Sequence, residues 1–166
     1  VGQTVVGGDG SDAEEVKKTE TAEKNTLYIV NSLDSQTETL TVSTVKSGDV
    51  YQYPYSLSTK FLNKYGDTTS WMNFTPGQVV TLGDTMDSKA LSYVKMSKEV
   101  WSYDDITKFS IDAEDGIFTL GKTNYRVSKN VPVFSDADAA DISDITDTDI
   151  LRVVGKGKKV LSIAVT

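Results

Sequence analysis

The sequence predicts an all-β protein: two small, related β-barrel-like modules of the SH3 or OB kind, in tandem after a flexible N-terminal tail. Short apolar runs with period-two alternation recur from residue 27 to the end of the chain. Turn signals rich in Gly, Pro, Asp and Asn separate these runs. In addition, a turn followed by a strand at residues 74–80 has a counterpart at residues 145–151. This internal similarity predicts one local structure used twice.

Residues 1–26 are predicted to form the tail. They contain the run GGDG at residues 7–10 and an almost wholly polar stretch at residues 13–24, where only Val16 and Ala22 are apolar. So little apolar surface cannot offset the entropy of ordering the chain, which predicts disorder. The alternative is a short helix, supported by Glu–Lys pairs.

The first module is predicted at residues 27–98. One helical turn is predicted over residues 57–65, with Leu57, Phe61 and Leu62 on one side. Pro54 is expected to end a strand or to place it at an edge. The strands themselves are predicted at residues 27–30, 39–45, 50–53, 79–82 and 90–96.

The second module is predicted at residues 99–166, with the boundary near residues 97–105. Pro132 is expected to restrict its strand to an edge, because proline cannot donate a ladder hydrogen bond. Its strands are predicted at residues 109–111, 117–120, 125–127, 131–134, 150–154 and 160–165. The core residues predicted for both modules are Ile29, Val42, Val45, Val79, Leu82, Leu91, Val94, Phe109, Ile111, Phe118, Leu120, Ile150, Val153, Leu161, Ile163 and Val165.

Composition excludes several function classes. The net charge of −7 would repel a nucleic-acid backbone and disfavours an anionic membrane surface. The sequence has no Cys and no His, so disulfides, thiolate or imidazole metal sites and Ser–His catalysis cannot be built from it. No apolar run is long enough to span a bilayer, so this segment is not expected to insert into a membrane. Residue 1 is Val, which leaves open that a secretion signal preceded it.

A series of turn-plus-strand motifs resembles a known family. The motifs are KYG at 64–66, FTPGQVV at 74–80, VWSY at 100–103, FTLG at 118–121, VPVF at 131–134, ILRVVG at 150–155 and KVLSIAV at 159–165. In this order they resemble the tandem β-region ahead of PEGA domains in extracytoplasmic proteins of Clostridia-type gut bacteria. The resemblance implies a secreted or envelope-associated location and a PEGA domain beyond this chain. It supplies no catalytic residues.

Aromatic side chains are the candidate ligand-binding residues. Rings with polar edges suit the stacking of sugars, but they are equally suited to packing within a β-sheet. The predicted binding residues are Trp71, Trp101, Tyr51, Tyr53 and Tyr103, and the wider group includes Tyr55 and Tyr65.

Carboxylates and lysines form the remaining candidates. Asp136, Asp138 and Asp141 are weak calcium candidates, but an EF-hand starting at Asp136 would need Gly at Asp141 and Glu at Asp147, so no metal is predicted. The alternative is a solvated connector whose Asp residues cap turns while Ile142, Ile145 and Ile150 point inward. Two further groups are the pairs Asp104–Asp105 and Glu114–Asp115, which could serve a glycosidase, and the basic tip of Lys156, Lys158 and Lys159.

The sequence therefore predicts a non-catalytic, cofactor-free structural module that spaces a larger envelope protein from the cell surface. The alternatives are a module that binds cell-wall or other glycan through exposed aromatic residues, and a glycosidase-like enzyme. The expected partners are cell-wall polysaccharide or another envelope protein.

Overall fold

The protein is all-β, as predicted, with its strands in two sheets. The computed structural model describes residues 16–18, 26–85, 90–135 and 138–166. Within these ranges the only helices are two short 3-10 helices, Trp71–Asn73 and Ile142–Asp144, and neither is long and apolar enough to cross a membrane. The pairings of the described strands close neither sheet into a barrel.

The first sheet has seven described strands, in the order β1-β4-β3-β2-β6-β7-β5. The pairs β1–β4 and β5–β7 are parallel, and the other neighbours are antiparallel. The strands are β1 Val16–Lys18, β2 Tyr28–Asp34, β3 Thr39–Thr44, β4 Val50–Pro54, β5 Lys60–Leu62, β6 Val79–Leu82 and β7 Tyr93–Met96.

The second sheet has eight described strands, and six of them follow the path β9-β10-β11-β15-β12-β13. Strand β14 pairs antiparallel with both β15 and β8, whereas β11 and β12 run parallel to β15. The strands are β8 Trp101–Ile106, β9 Ser110–Asp112, β10 Ile117–Leu120, β11 Thr123–Arg126, β12 Val133–Ser135, β13 Asp138–Ala140, β14 Leu151–Lys156 and β15 Lys159–Val165.

Each sheet encloses its own apolar core because alternate residues of its strands point inward. In β3, Leu40 and Val42 are buried while Thr39 and Thr41 are only half-buried. The first core includes Tyr28, Val30, Leu40, Val42, Tyr53, Phe61, Leu82, Leu91 and Val94. The second includes Ile106, Phe118, Val133, Ile142, Leu151, Val153, Val160 and Ile163.

A third apolar group, here called the shared cluster, lies between the two sheets. It consists of Ile29 and Val79 from the first sheet and Phe134, Val154 and Leu161 from the second. The first three residues of β2 are therefore buried on both faces of the strand, which explains the uninterrupted apolar run at its start. The two sheets consequently pack against each other through side chains that neither core uses.

Two hydrogen bonds connect the sheets beside the shared cluster. The Ser162 hydroxyl donates to the carbonyl oxygen of Gly77, and this bond is buried. Arg152 Nη1 donates to Thr75 Oγ1 at 2.7 Å. Both acceptors belong to the turn that precedes β6, so this turn is the point where the first sheet is attached to the second.

The prediction of a helical turn over residues 57–65 is wrong. Lys60–Leu62 form strand β5, and Leu57 is fully exposed. The Thr59 hydroxyl donates to the carbonyl oxygen of Leu91, and Phe61 pairs with Val94. Pairing with a strand distant in sequence thus overrides the local helical pattern.

The prediction that Ile150 lies in the core is wrong, since its side chain is exposed. Strand β14 begins one residue later, and Leu151 pairs with both Val165 and Ile106. The alternation of the strand then buries Leu151 and Val153 and leaves Ile150 outside. The other predicted core residues are buried or half-buried.

Two further expectations differ from the structure. Strand β12 is not an edge strand, because it pairs with β13 on one side and β15 on the other. Pro132 precedes this strand, and its carbonyl oxygen accepts a hydrogen bond from the amide of Ile163. Within the predicted tail, Val16–Lys18 form β1 and pair with residues 50–52. The expectation of disorder for residues 1–15 and 19–25 lies outside the described residues.

Candidate functional site

The tyrosines of β4 belong to the first core. Tyr53 is 2% exposed and stacks on Tyr51 with ring centroids 6.0 Å apart. Tyr28 meets both rings edge-on, and Tyr55 is buried against Phe61. Burial therefore contradicts the interpretation of Tyr53 as part of an exposed platform, whereas Tyr51 is half-buried and packs against the core.

Three other rings form an aromatic cluster on the second sheet: Trp101, Tyr103 and Tyr125. The ring centroid of Trp101 lies 5.3 Å from that of Tyr103 and 4.7 Å from that of Tyr125. Burial raises the pKa of the Tyr125 hydroxyl, and the adjacent Tyr103 hydroxyl raises it further. Lys158 Nζ lies 5.5 Å from the Tyr125 ring centroid.

The indole of Trp101 rests directly on the backbone of Gly155. A Cβ at residue 155 would lie 2.3 Å from Trp101 Cζ2 and 2.5 Å from the carbonyl oxygen of Lys159, so only glycine fits. The β14–β15 register shifts between Val154 and Gly155. Trp101 Nε1 also donates to the carbonyl oxygen of Gly157 at 2.8 Å. These contacts fix the orientation of the indole.

An inter-sheet groove of about 570 Å³ runs past Trp101. One wall comes from the first sheet and the loop after β5, and the other comes from the start of β8 and from β14. The lining residues that bear on function are Tyr65, Lys64, Gln78, Ser97, Trp101 and Ser102. The groove thus brings Tyr65 and Trp101, two aromatic candidates distant in sequence, to one surface.

A tight loop presents Tyr65 at the rim of this groove. Asn63 Oδ1 accepts the amides of Tyr65 at 2.9 Å and Asp67 at 3.0 Å, and Gly66 has a φ of +88°. The Tyr65 side chain is 77% exposed, with Lys64 Nζ 5.4 Å from its ring centroid. The loop therefore holds an exposed ring without support from the core.

Trp71 and Met72 form a separate exposed site. Both lie on the first 3-10 helix, and Trp71 is 39% exposed. Trp71 does not line the inter-sheet groove. The structure thus joins Trp101 and Tyr103 to Tyr125 but leaves Trp71 apart from them.

The acidic run caps turns instead of forming a metal site within the described residues. Asp141 Oδ1 accepts hydrogen bonds from the Ser143 amide and hydroxyl, both at 2.9 Å, which lower the pKa of its carboxyl group. Asp144 accepts the amide of Asp141 in a reciprocal capping box. Asp138 lies in β13, while Asp136 lies outside the described residues. In the parts of the chain that the structure describes, no group of three or more acidic side chains could hold a metal ion.

The remaining charged candidates take part in ion pairs and turns. Asp104 Oδ1 accepts Arg152 Nε at 2.8 Å, and Lys156 Nζ lies 3.1 Å from Glu99 Oε1. Asp105 has a φ of +56° at the end of β8. Glu114 and Asp115 lie in the turn between β9 and β10. The two carboxylate pairs are thus on different elements, and Asp104 is already paired with a cation.

Tyr125, Lys64 and Gln78 are not among the functional residues predicted from the sequence. Tyr125 reaches the aromatic cluster through the parallel pairing of β11 with β15, which rests on one residue pair, Arg126 with Lys159. No local pattern predicts this contact with Trp101. The sequence signals only that Thr123 and Tyr125, two residues apart on β11, share the more buried face of the strand.

Comparisons with known proteins give no further assignment: no family model, no curated protein and no solved structure matches this chain.

Proposed function

We propose that this chain is a non-catalytic structural module of an extracytoplasmic protein, acting as a rigid spacer between other parts of that protein or between the cell surface and a partner. The observation that carries the proposal is the shared cluster. Five buried side chains from both sheets pack together, and the Ser162–Gly77 and Arg152–Thr75 hydrogen bonds join the sheets beside them. A spacer needs a fixed geometry of this kind.

We also propose that the two sheets are related copies of one small barrel-like module. The pairing pattern supports this. Strand β6 pairs antiparallel with β2 and β7, and β5 runs parallel to β7. In the second sheet β14 pairs antiparallel with β8 and β15, and β12 runs parallel to β15.

The chain entering β6 and β14 supports the same proposal. A 3-10 helix and a turn precede each of these strands. In the first copy Phe74 N donates to Trp71 O and Gln78 N to Thr75 O. The matching bonds in the second copy are Ile145 N to Ile142 O and Asp149 N to Thr146 O.

The extracytoplasmic location rests on the resemblance to the region ahead of PEGA domains. A net charge of −7 favours solubility and disfavours adhesion to anionic surfaces. An ordered two-unit body would keep the flanking parts of a longer protein at a set separation. The partners that this proposal implies are cell-wall polysaccharide or another envelope protein.

Spin labelling tests the rigidity that the proposal requires. The sequence has no Cys, so Leu57→Cys with Lys122→Cys places one label in a loop beside each sheet without removing native thiols. Both positions are exposed. We expect a narrow distance distribution by pulsed electron resonance, as narrow as that of the control pair Leu57→Cys with Lys46→Cys, whose labels both lie in loops of the first sheet. A distribution several times broader than the control would overturn the spacer proposal.

A further inference from the structure

We propose that the inter-sheet groove is a binding site for a linear, neutral oligosaccharide, with Tyr65 and Trp101 as its stacking residues. This goes beyond a spacer role, because it gives the junction of the two sheets a ligand. Both residues line the groove. Contacts with Gly155 and Gly157 fix the Trp101 indole, and the hydrogen bonds of Asn63 fix the backbone that carries Tyr65. Such preorganisation reduces the entropy lost on binding.

The side chains around the two rings suit a sugar. Gln78 and Ser102 line the groove, and neither side chain makes a hydrogen bond with another described residue. The Ser97 hydroxyl accepts the amide of Glu99 and keeps its proton available for donation. An amide and two hydroxyls beside aromatic faces match a ligand with apolar C–H faces and a rim of hydroxyl groups.

Charge and size decide among ligand classes. Among the described residues that line the groove, Lys64 is the one with a charged side chain, and it lies over the ring of Tyr65. A strongly anionic ligand would find little complementary charge there and would be repelled by a chain of net charge −7. The volume of about 570 Å³ falls in the range usual for ligand pockets and suits a few sugar units.

Calorimetric titration of the full chain tests the site, with N-acetylglucosamine tetramer and cellotetraose as probes. We expect saturable binding of at least one probe with a Kd of about 0.1 mM. Tyr65→Ala should weaken binding about tenfold, the effect of losing one aromatic stack. Because Tyr65 is exposed and its loop is held by Asn63, this variant is expected to fold. Trp101→Ala should abolish binding, with its fold checked by circular dichroism.

Trp71→Ala is the matched control, because Trp71 is an exposed tryptophan outside the groove. It should leave the affinity unchanged. The proposal would be overturned if the folded chain bound neither probe at about 10 mM. Binding that is unchanged in Tyr65→Ala, or that is lost in Trp71→Ala, would also overturn it. So would binding of a proline-rich peptide, the other common occupant of aromatic grooves, in place of both sugars. None of these outcomes bears on the rigidity of the spacer.

Discussion

Asp141 shows how single residues of the acidic run act in this fold. It begins the second 3-10 helix, and its carboxylate accepts both the amide and the hydroxyl of Ser143. Such bonds stabilise the charged form of the carboxylate, so its pKa is lower in the folded chain than in the unfolded chain. Asp34 has the same character, because the amides of Thr37 and Gln36 lower its pKa. These aspartates stabilise turns by accepting hydrogen bonds from backbone amides within them.

Asp141→Ala should therefore lower stability in a pH-dependent way. A depressed folded pKa contributes stability above the unfolded pKa, about 3.9, and this contribution is lost as the pH falls through the folded pKa. We expect the variant to have a lower Tm than the parent chain at pH 7, and the difference should shrink once the pH is below about 4. Thermal melts followed by circular dichroism at both pH values measure it.

Asp147→Ala is the control for this prediction. Asp147 lies in the same run, is exposed and makes no hydrogen bond within the described part of the chain. Its removal should change Tm little at either pH. An equal loss of Tm in Asp141→Ala at neutral and acid pH would contradict the role given to the charged carboxylate.

The turns before β6 and β14 have the same hydrogen bond but different backbone geometry. In the first turn Pro76 is followed by Gly77, which has a φ of +97°, as the third position of a type II turn requires. In the second turn Thr148 occupies that position without a positive φ. The first turn also carries the carbonyl oxygen that accepts the Ser162 hydroxyl. The element that attaches the two sheets thus depends on a glycine.

Gly77→Ala should destabilise the chain by about 1–3 kcal/mol, because an L side chain is strained at this φ. The added Cβ would lie 3.5 Å from Ser162 Oγ, an ordinary contact, so strain and not overlap is the cause. Urea unfolding followed by fluorescence gives the free energy of unfolding. Thr148→Ala is the matched control in the second turn, and its effect should be within about 0.5 kcal/mol. Equal effects in the two variants would refute the difference in turn geometry.

The elements that the sequence predicts well are those that close locally. The last hairpin, β14–β15, follows from two apolar runs around a Gly-Lys turn, and it lies where the pattern indicates. Strand β5 has no such signal, because its position depends on contacts with residues about thirty positions later: Phe61 pairs with Val94 of β7, and the Thr59 hydroxyl donates to the carbonyl oxygen of Leu91. For the same reason, the aromatic residue type identified Trp101 and Tyr65 as candidates, whereas the groove that joins them depends on how the sheets pack. Residue type thus indicates which side chains could bind a ligand, but it does not indicate which of them lie together in the folded chain.

At the scale of the whole molecule, the shared cluster makes the stability of one sheet depend on the other. Separating the sheets would expose Ile29 and Val79 on one side and Phe134, Val154 and Leu161 on the other. It would also leave the carbonyl oxygen of Gly77 without its buried donor. Both costs favour unfolding in a single cooperative transition. Each half would then be only marginally stable by itself, as is usual for domains of this size.

Phe134→Ala provides the test of this coupling, since Phe134 belongs to the second sheet but packs in the shared cluster. Removing a buried phenyl ring should cost about 3–5 kcal/mol. The chain has two tryptophans, Trp71 beside the first sheet and Trp101 in the second. In a Trp101→Phe background the fluorescence of Trp71 reports the first sheet, and in a Trp71→Phe background the fluorescence of Trp101 reports the second. Urea unfolding followed by fluorescence should show the same loss of stability in both.

Leu57→Ala, which removes a fully exposed apolar side chain, should leave both transitions unchanged. If Phe134→Ala shifted the transition reported by Trp101 and not the one reported by Trp71, the sheets would unfold independently, and the shared cluster would not make them one body.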